Sequence, residues 1–297
     1  MTENVLIPLT DRGVITVSGP DRIEFLQGLV SNNVERVADG HAVWAALLTP
    51  QGKYRHDFFL ASDGETVLID CEGGDRLMDL GRTLHKYKLR SDIALGIAEG
   101  WSVLAAFGAA PEIEDAVVFP DPRHAEMGWR VLTTKSVDAL AREAGYRVGV
   151  REDYDAVRIP LGLPDGSRDM LPDKAILLEN GFDELSGVDW EKGCYMGQEL
   201  TARTKYRGLV KKRLLPVRFL ADEGADVPEP GSQVLFDARD AGEIRSVAGA
   251  VGLALLRLEA VENAAGSDTP LTAGGVPLQV AVPDWLDLRR NASRDRD

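Results

Sequence analysis

KGCYMGQELTARTKYRGLVKKRLLPV, residues 192–217, sets two glycines around Cys194-Tyr195-Met196 and follows them with a polar Gln198-Glu199 pair and a basic run. Gly193 and Gly197 permit backbone angles and close approaches that other residues do not. From Leu200 onward the residue types favour a helix, and Gly208 ends it as a C-cap. Glu199 then falls in the first helical turn, where its charge suits the helix dipole. On spacing alone, this is a capped and tightly turned helix start.

Working outward, residues 3–19 read as two short strands around Asp11-Arg12-Gly13. Pro20-Asp21 opens a helix with Phe25, Leu26, Leu29 and Val30 on one face. AVWAALLTPQG (42–52) is a strand running into a Pro/Gly turn, with YRHDFFLAS as the return strand and ETVLIDC (65–71) as the next. Residues 75–88 form an amphipathic helix with Leu77, Met78, Leu80 and Leu84 inward. IALGIAEGWSVLAAFG (93–108) gives two strands, GWRVLTT (128–134) another, and 136–144 a helix. This order predicts an α+β fold with mixed sheets, close to ferredoxin-like units, and it lacks the regular alternation of a doubly wound fold. The acidic, Pro/Gly-rich ADEGADVPEPG (221–231) is a composition break. Beyond it, SQVLF, IRSVAGAVGLALLRL and PLQVAVP are short strand-like pieces separated by turn-rich segments, the pattern of a small antiparallel barrel or sandwich. The expected division is two α+β subdomains over 1–210 and a β-barrel domain over 211–297, with NASRDRD as a frayed tail.

The motif at 192–217 is accompanied, in order along the chain, by FLQGLVSNNV (25–34), TPQGKYRHDFFL (49–60), HKYKLRSDIAL (85–95), RIPLGLPDG (158–166), ILLENGF (176–182) and GVDW (187–190). This set resembles the YgfZ family of folate-binding proteins, relatives of the glycine cleavage T-protein aminomethyltransferase. It is most similar to the branch that includes the mitochondrial iron–sulfur cluster assembly factor. The resemblance implies an aminomethyltransferase-type folate-binding fold with tetrahydrofolate, or a derivative, as ligand. It also implies work on assembly or repair of [4Fe–4S] proteins, tRNA-modifying radical enzymes among them. The implied partners are iron–sulfur assembly proteins and client apoproteins.

The resemblance distributes roles over the residues. Glu199 would accept two hydrogen bonds from the pterin edge, as one carboxylate can do in bidentate fashion. Tyr154 and Arg158 would line the folate cavity, with Lys192 and Gln198 beside them from the signature motif. Arg12 stands where some members carry a folate-contacting aromatic, and a guanidinium can stack as well. The run from Arg203 to Arg213 contains Arg203, Lys205, Arg207, Lys211, Lys212 and Arg213 and no acidic residue. Such a run suits an anionic partner, and the glutamate tail of a folate is one. Cys194 is the hallmark thiol of the motif, a candidate for redox or cluster-facing work, and small buried packing is its ordinary alternative. Cys71, alone on a strand, reads as packing.

Asp57 bears on the alternative, a folate-dependent aminomethyltransferase or other one-carbon transferase. The transferase's catalytic aspartate follows a Gly-bearing turn like PQGKYRHD, and Asp57 matches it only if one residue is inserted; otherwise Arg55 or His56 takes the position. Arginine stays protonated and cannot act as a general base. His56 could act as a base, although a loop or strand histidine without a role is its ordinary reading, so aminomethyl transfer is expected to be lost and the protein not to be a classical enzyme. A second rival, direct RNA binding through the basic run, sits badly with a net charge of −14 from 48 acidic and 34 basic residues. With 297 residues the chain can bury two or three cores. Two cysteines make no disulfide framework and cannot supply the four thiolates of a resident cluster. The N-terminus lacks signal-peptide character and no stretch suits a membrane span, so the expected location is the cytoplasm. There is no P-loop, HExxH or G-x-S-x-G motif.

Overall fold

The computed structural model describes residues 3–38, 41–221 and 226–288. The tail at 291–297 and residues 222–225 of the composition break lie outside them. By contact the chain forms two compact units, each discontinuous in sequence. The first takes Met1–Pro50, Tyr54–Tyr154 and Leu185–Gln198; the second takes Gln51–Lys53, Asp155–Glu184 and Glu199–Asp297.

The first unit contains two five-stranded sheets. One runs in the order Arg147–Val148, Val5–Pro8, Ser102–Phe107, Trp129–Thr133, Ala116–Pro120. It is mixed, because Val5–Pro8 pairs in parallel with Arg147–Val148 and antiparallel with Ser102–Phe107. The other sheet is antiparallel, in the order Val43–Leu48, Tyr54–Asp63, Thr66–Glu72, Arg12–Ser18, Ala94–Ile97. Helices Arg22–Gln27 and Gly74–Lys88 cover its core, burying Phe25, Leu26, Leu80 and Leu84 against Ile15, Val17, Phe58 and Ile69. Each such side chain contributes about 1.5–3 kcal/mol of hydrophobic stabilisation. Met78, expected inward, is 46% exposed. The helical period placed it one step off the buried stripe that Leu80 and Leu84 occupy.

The second unit holds a closed antiparallel barrel of six strands: Lys212–Phe219, Val251–Arg257, Arg239–Ala248, Gln233–Phe236, Leu271–Ala273 and Val276–Val280, the last pairing with the first. Closure leaves no open sheet edge. IRSVAGAVGLALLRL is a hairpin rather than one strand, turning at Gly249 with φ +58°. Helix Leu258–Ala265 follows it, where the sequence suggested only turns. The segment 155–184 adds the short helix Gly166–Asp169 and a 3₁₀ turn at Leu177–Asn180. Helix Gln198–Tyr206 begins just after Gly197 (φ +79°), and Gly208 (φ +63°) stands past its end, as the sequence predicted.

Candidate functional site

The stretches 186–198 and 25–34, far apart in sequence, are fastened together in the first unit. Ser31 donates its hydroxyl to the Gly187 carbonyl (2.6 Å) and accepts from the Ala46 amide (2.8 Å). The Asn32 amide donates to the carbonyls of Trp44 and Ser186, each at 2.7 Å. Asp189 accepts from the amides of Glu191 and Lys192, a tight Asx-type turn. The turn aims Lys192 at the end of helix Arg22–Gln27. There its ammonium donates to the carbonyls of Gln27 (2.9 Å), Val30 (2.6 Å) and Asn32 (2.8 Å). An ammonium has three protons, and here each finds a carbonyl. A cation at a helix C-terminus also satisfies carbonyls that the helix leaves open. Burial pulls the Lys192 pKa down to about 8, opposed by Asp189 and Glu35.

Past Cys194 the loop is fastened again. The Met196 amide donates to the Gly28 carbonyl (3.2 Å), and the Met196 side chain packs on the core. Tyr195 is buried, its amide donates to Gln198 Oε1 (3.1 Å), and the Lys192 ammonium lies 5.3 Å from its ring centroid. Between these two anchors Gly193 and Cys194 are exposed, and Cys194 is a free thiol. The loop therefore presents an exposed cysteine between two anchored neighbours. Cys71 is the opposite case: it is buried, its thiol lies 3.6 Å from the Gly13 carbonyl, and burial pushes its pKa up to about 12.

The other expected residues separate from this loop in character. The Glu199 side chain is 86% exposed and pairs with Arg203 at 3.1 Å, one helical turn on. Arg207 and Lys211 are exposed, whereas Lys205 pairs with Asp183 and Arg213 is buried against Glu184 and the Leu178 carbonyl. Much of the basic run is thus matched within the chain. Arg158 is fully buried: it donates to Asp155 (2.7 Å), Asp169 (2.7 Å), the Leu163 carbonyl (2.9 Å) and Ser246 Oγ (3.0 Å). Tyr154 is buried, and its hydroxyl accepts from Arg123 (3.0 Å).

Arg12 forms a close ion pair with the buried Asp70 and also donates to the Asp70 carbonyl (2.9 Å). Asp70 takes a second guanidinium from Arg130 (2.7 Å), while Arg123 pairs with Asp121 (2.7 Å). Arg12, Arg123 and Arg130 all face the Phe59 ring, at 5.5, 4.9 and 3.9 Å. Sequence reasoning missed Asp70, Asp121, Arg123 and Arg130. A signal was there, since Asp70 interrupts the apolar run VLIDC and Arg130 the run WRVL. Asp57 is buried and accepts from Trp44 (3.0 Å) and Tyr54 (2.8 Å).

A folate would find an accessible carboxylate at Glu199 and accessible cations at Arg203 and Arg207. Arg158 and Arg12 are committed to buried carboxylates and do not fit a ligand-lining role.

His56 is buried beside Asp79 (2.9 Å), and burial lowers its pKa to about 4. The unfolded chain, near the ordinary 6.5, takes up this proton first as pH falls. Stability from this group is full above about pH 6.5 and is lost between pH 6.5 and 4, roughly 2 kcal/mol of it between pH 7 and 5. Urea unfolding at pH 7 and 5 checks this: His56→Gln should lose less stability over that interval than the unaltered protein, and an equal loss contradicts the assignment.

The profile of the CAF17 C-terminal β-barrel domain matches residues 211–288. A crystal structure of the glycine cleavage system aminomethyltransferase T from Bartonella henselae superposes with a TM-score of 0.74 at 16% identity, over 96% of this chain and 87% of that one. It shares the fold. The mitochondrial iron–sulfur cluster assembly factor IBA57 of Homo sapiens is 34% identical, covering 93% of this chain and 84% of its own length. The Mus musculus protein is 32% identical over the same shares. These relatives are named as assembly factors rather than enzymes, in keeping with the sequence reading. They are also named as mitochondrial, which overturns the expected cytoplasmic location: residues without signal-peptide character speak only against secretion. With a third of its residues shared along nearly its whole length, the chain belongs to the family of IBA57-type iron–sulfur cluster assembly factors.

Proposed function

We propose that this protein supports assembly or repair of iron–sulfur clusters by offering Cys194 as a single thiolate to a cluster whose other ligands come from a partner protein. The observation that carries this reading is the exposed free thiol held between two anchored neighbours. One accessible cysteine cannot retain a cluster alone, so the thiol suits transfer better than storage. Its proton leaves as iron binds, and a loop already fixed loses little entropy in the encounter. Cells lacking the chromosomal gene and carrying Cys194→Ser should show [4Fe–4S] enzyme activities, and the tRNA modifications that depend on them, at the level of the deletion, with normal protein abundance. Full rescue by Cys194→Ser would remove the thiol from the mechanism. A defect confined to glycine cleavage would favour the transferase alternative.

Tetrahydrofolate is the small ligand proposed on the family resemblance, with Glu199 reading the pterin edge and Arg203 and Arg207 meeting the carboxylates. Glu199 and Arg203 are exposed and pair with each other, so a folate bound here would have to open that pair, and the reading rests on the resemblance alone. In the same strain set, Glu199→Ala should bind tetrahydrofolate at least tenfold more weakly than the unaltered protein. Equal affinity removes the role given to Glu199.

A further inference from the structure

The antiparallel sheet of the first unit ends on strand Ala94–Ile97, which pairs with Arg12–Ser18 on one side and has no strand on its other side among the described residues. Its register sets Ile97 opposite Ile15, Gly96 opposite Thr16 and Leu95 opposite Val17. One step on, the Ala98 amide donates to the Val14 carbonyl (2.9 Å). Antiparallel pairs alternate between hydrogen-bonded and non-bonded. Gly96 therefore turns its backbone groups inward to Thr16, while Leu95 and Ile97 turn theirs to the open edge. The Ile97 carbonyl accepts from the Glu99 amide (3.0 Å). The Leu95 amide and carbonyl and the Ile97 amide have no backbone partner among the described residues. Unpaired groups in a row along an edge are a template for one more strand.

Beside this edge, a cavity of about 320 Å³ opens between the strand and helix Gly74–Lys88. Buried Ile15 lines it together with Leu77 and Leu95, which pack on the core, and with Met78 and Ile97, each 46% exposed. Gly81 lies in the same lining, in the interior of the helix, where glycine is unfavourable. A Cβ there would meet only Ile15 Cδ1, at 3.9 Å, so the fold does not require glycine, and the bare position leaves the cavity its room. Arg82 and His85 complete the polar part of the lining, and neither has an ion-pair partner among the described residues. The lining holds no carboxylate, and Asp92 and Glu99 flank the strand outside it. An unpaired guanidinium beside an apolar cavity, in a chain of net charge −14, is complementary to an anionic group on an apolar partner.

We infer that this edge accepts an extended segment of another protein as a sixth strand of the sheet, with one apolar side chain in the cavity over Gly81 and a carboxylate two residues away against Arg82 and His85. Residues two apart in a strand share a face, so one segment satisfies both. Backbone hydrogen bonds supply affinity in such an addition, and the cavity selects the side chain. A second copy of this chain is a poorer occupant, because symmetric pairing of two such edges brings Arg82 of both copies to one seam. The surface does not depend on the role given to Cys194.

The test selects random decapeptides displayed on phage against the immobilised full chain, then titrates the enriched sequence, synthesised with a fluorescent label, by anisotropy. Enriched sequences should carry an apolar residue with Asp or Glu two positions away. Methylating the peptide's amide nitrogens one at a time should weaken binding at least tenfold at the residue facing the Leu95 carbonyl and spare both of its neighbours. Gly81→Leu, which fills the cavity, should cut affinity at least tenfold without lowering the thermal midpoint. Should Gly81→Leu fail to fold, Gly81→Ala, for which the space is present, should cut it several-fold. Arg82→Glu should also cut affinity at least tenfold, with recovery when lysine replaces the acidic residue of the peptide. No enriched sequence, enrichment without an acidic residue, methylation effects without alternation, or indifference to the Gly81 variants or to Arg82→Glu overturns the proposal. Self-association of the full chain in sedimentation, abolished by Gly81→Leu, gives the edge to a second copy and overturns it as well.

Discussion

Asp70→Ala is expected to destabilise the protein by about 3–5 kcal/mol, because it strips the shared carboxylate from two buried guanidinium groups at once. Arg12 and Arg130 both close on this carboxylate, whose side chain is fully buried. Neither arginine can reach water when the partner is removed, and both lie against Phe59. A loss of this size is a large part of the 5–15 kcal/mol that holds a typical domain. Thermal unfolding and soluble yield measure it directly. Asp70→Asn keeps one acceptor oxygen and should lose less, so the pair of variants separates charge from hydrogen bonding. A change below about 1 kcal/mol for Asp70→Ala would mean the arginines find other partners.

Asp169→Ala should cost a similar 3–5 kcal/mol in the second unit. One carboxylate there accepts from Arg158 (2.7 Å), from the Asp165 amide (2.9 Å) and from Ser246 Oγ (2.6 Å) on a barrel strand. Asp155 and Arg168 extend the network. Removing Asp169 therefore loosens the segment 155–169 from the barrel wall. Arg158→Met addresses the same bond from the other side and should lower stability without a specific loss of tetrahydrofolate affinity. Weak folate binding by a fully stable Arg158→Met would return Arg158 to the ligand.

Much of the architecture is legible in residue order. The strands around Asp11-Arg12, the buried face of Gly74–Lys88 and the strand pieces beyond 231 follow from period and from glycine placement. The helix after Gly197 and its end at Gly208 do as well. The helix Leu258–Ala265 is hidden because it follows directly on an apolar strand and its N-cap, Arg257, has no side-chain acceptor for the first helical amides. The site was legible as a string of residues and not as an arrangement. Lys192 reads as a folate contact from the signature motif, yet its ammonium is taken up by three carbonyls about 160 positions away in sequence. Arg158 and Arg12 read equally well as ligand contacts, since a sequence shows a charge without its counter-charge. Asp169 and Ser246, 77 positions apart, make the same point for the second unit. Cys194 could be placed in a glycine-flanked loop, but its exposure depends on anchors contributed by residues 25–34.

Because the chain alternates between its two units, synthesis and folding are out of step. The ribosome delivers both sheets of the first unit, then thirty residues belonging to the second, and only afterwards residues 185–198. Until that late segment emerges, the carbonyls of Gln27, Val30 and Asn32 have no ammonium and the Asn32 amide has no Ser186. A nascent chain halted before residue 186 is therefore an unfinished first unit, suited to chaperone holding or proteolysis. The thiol becomes available only in a product whose early half has already been sealed by its later one.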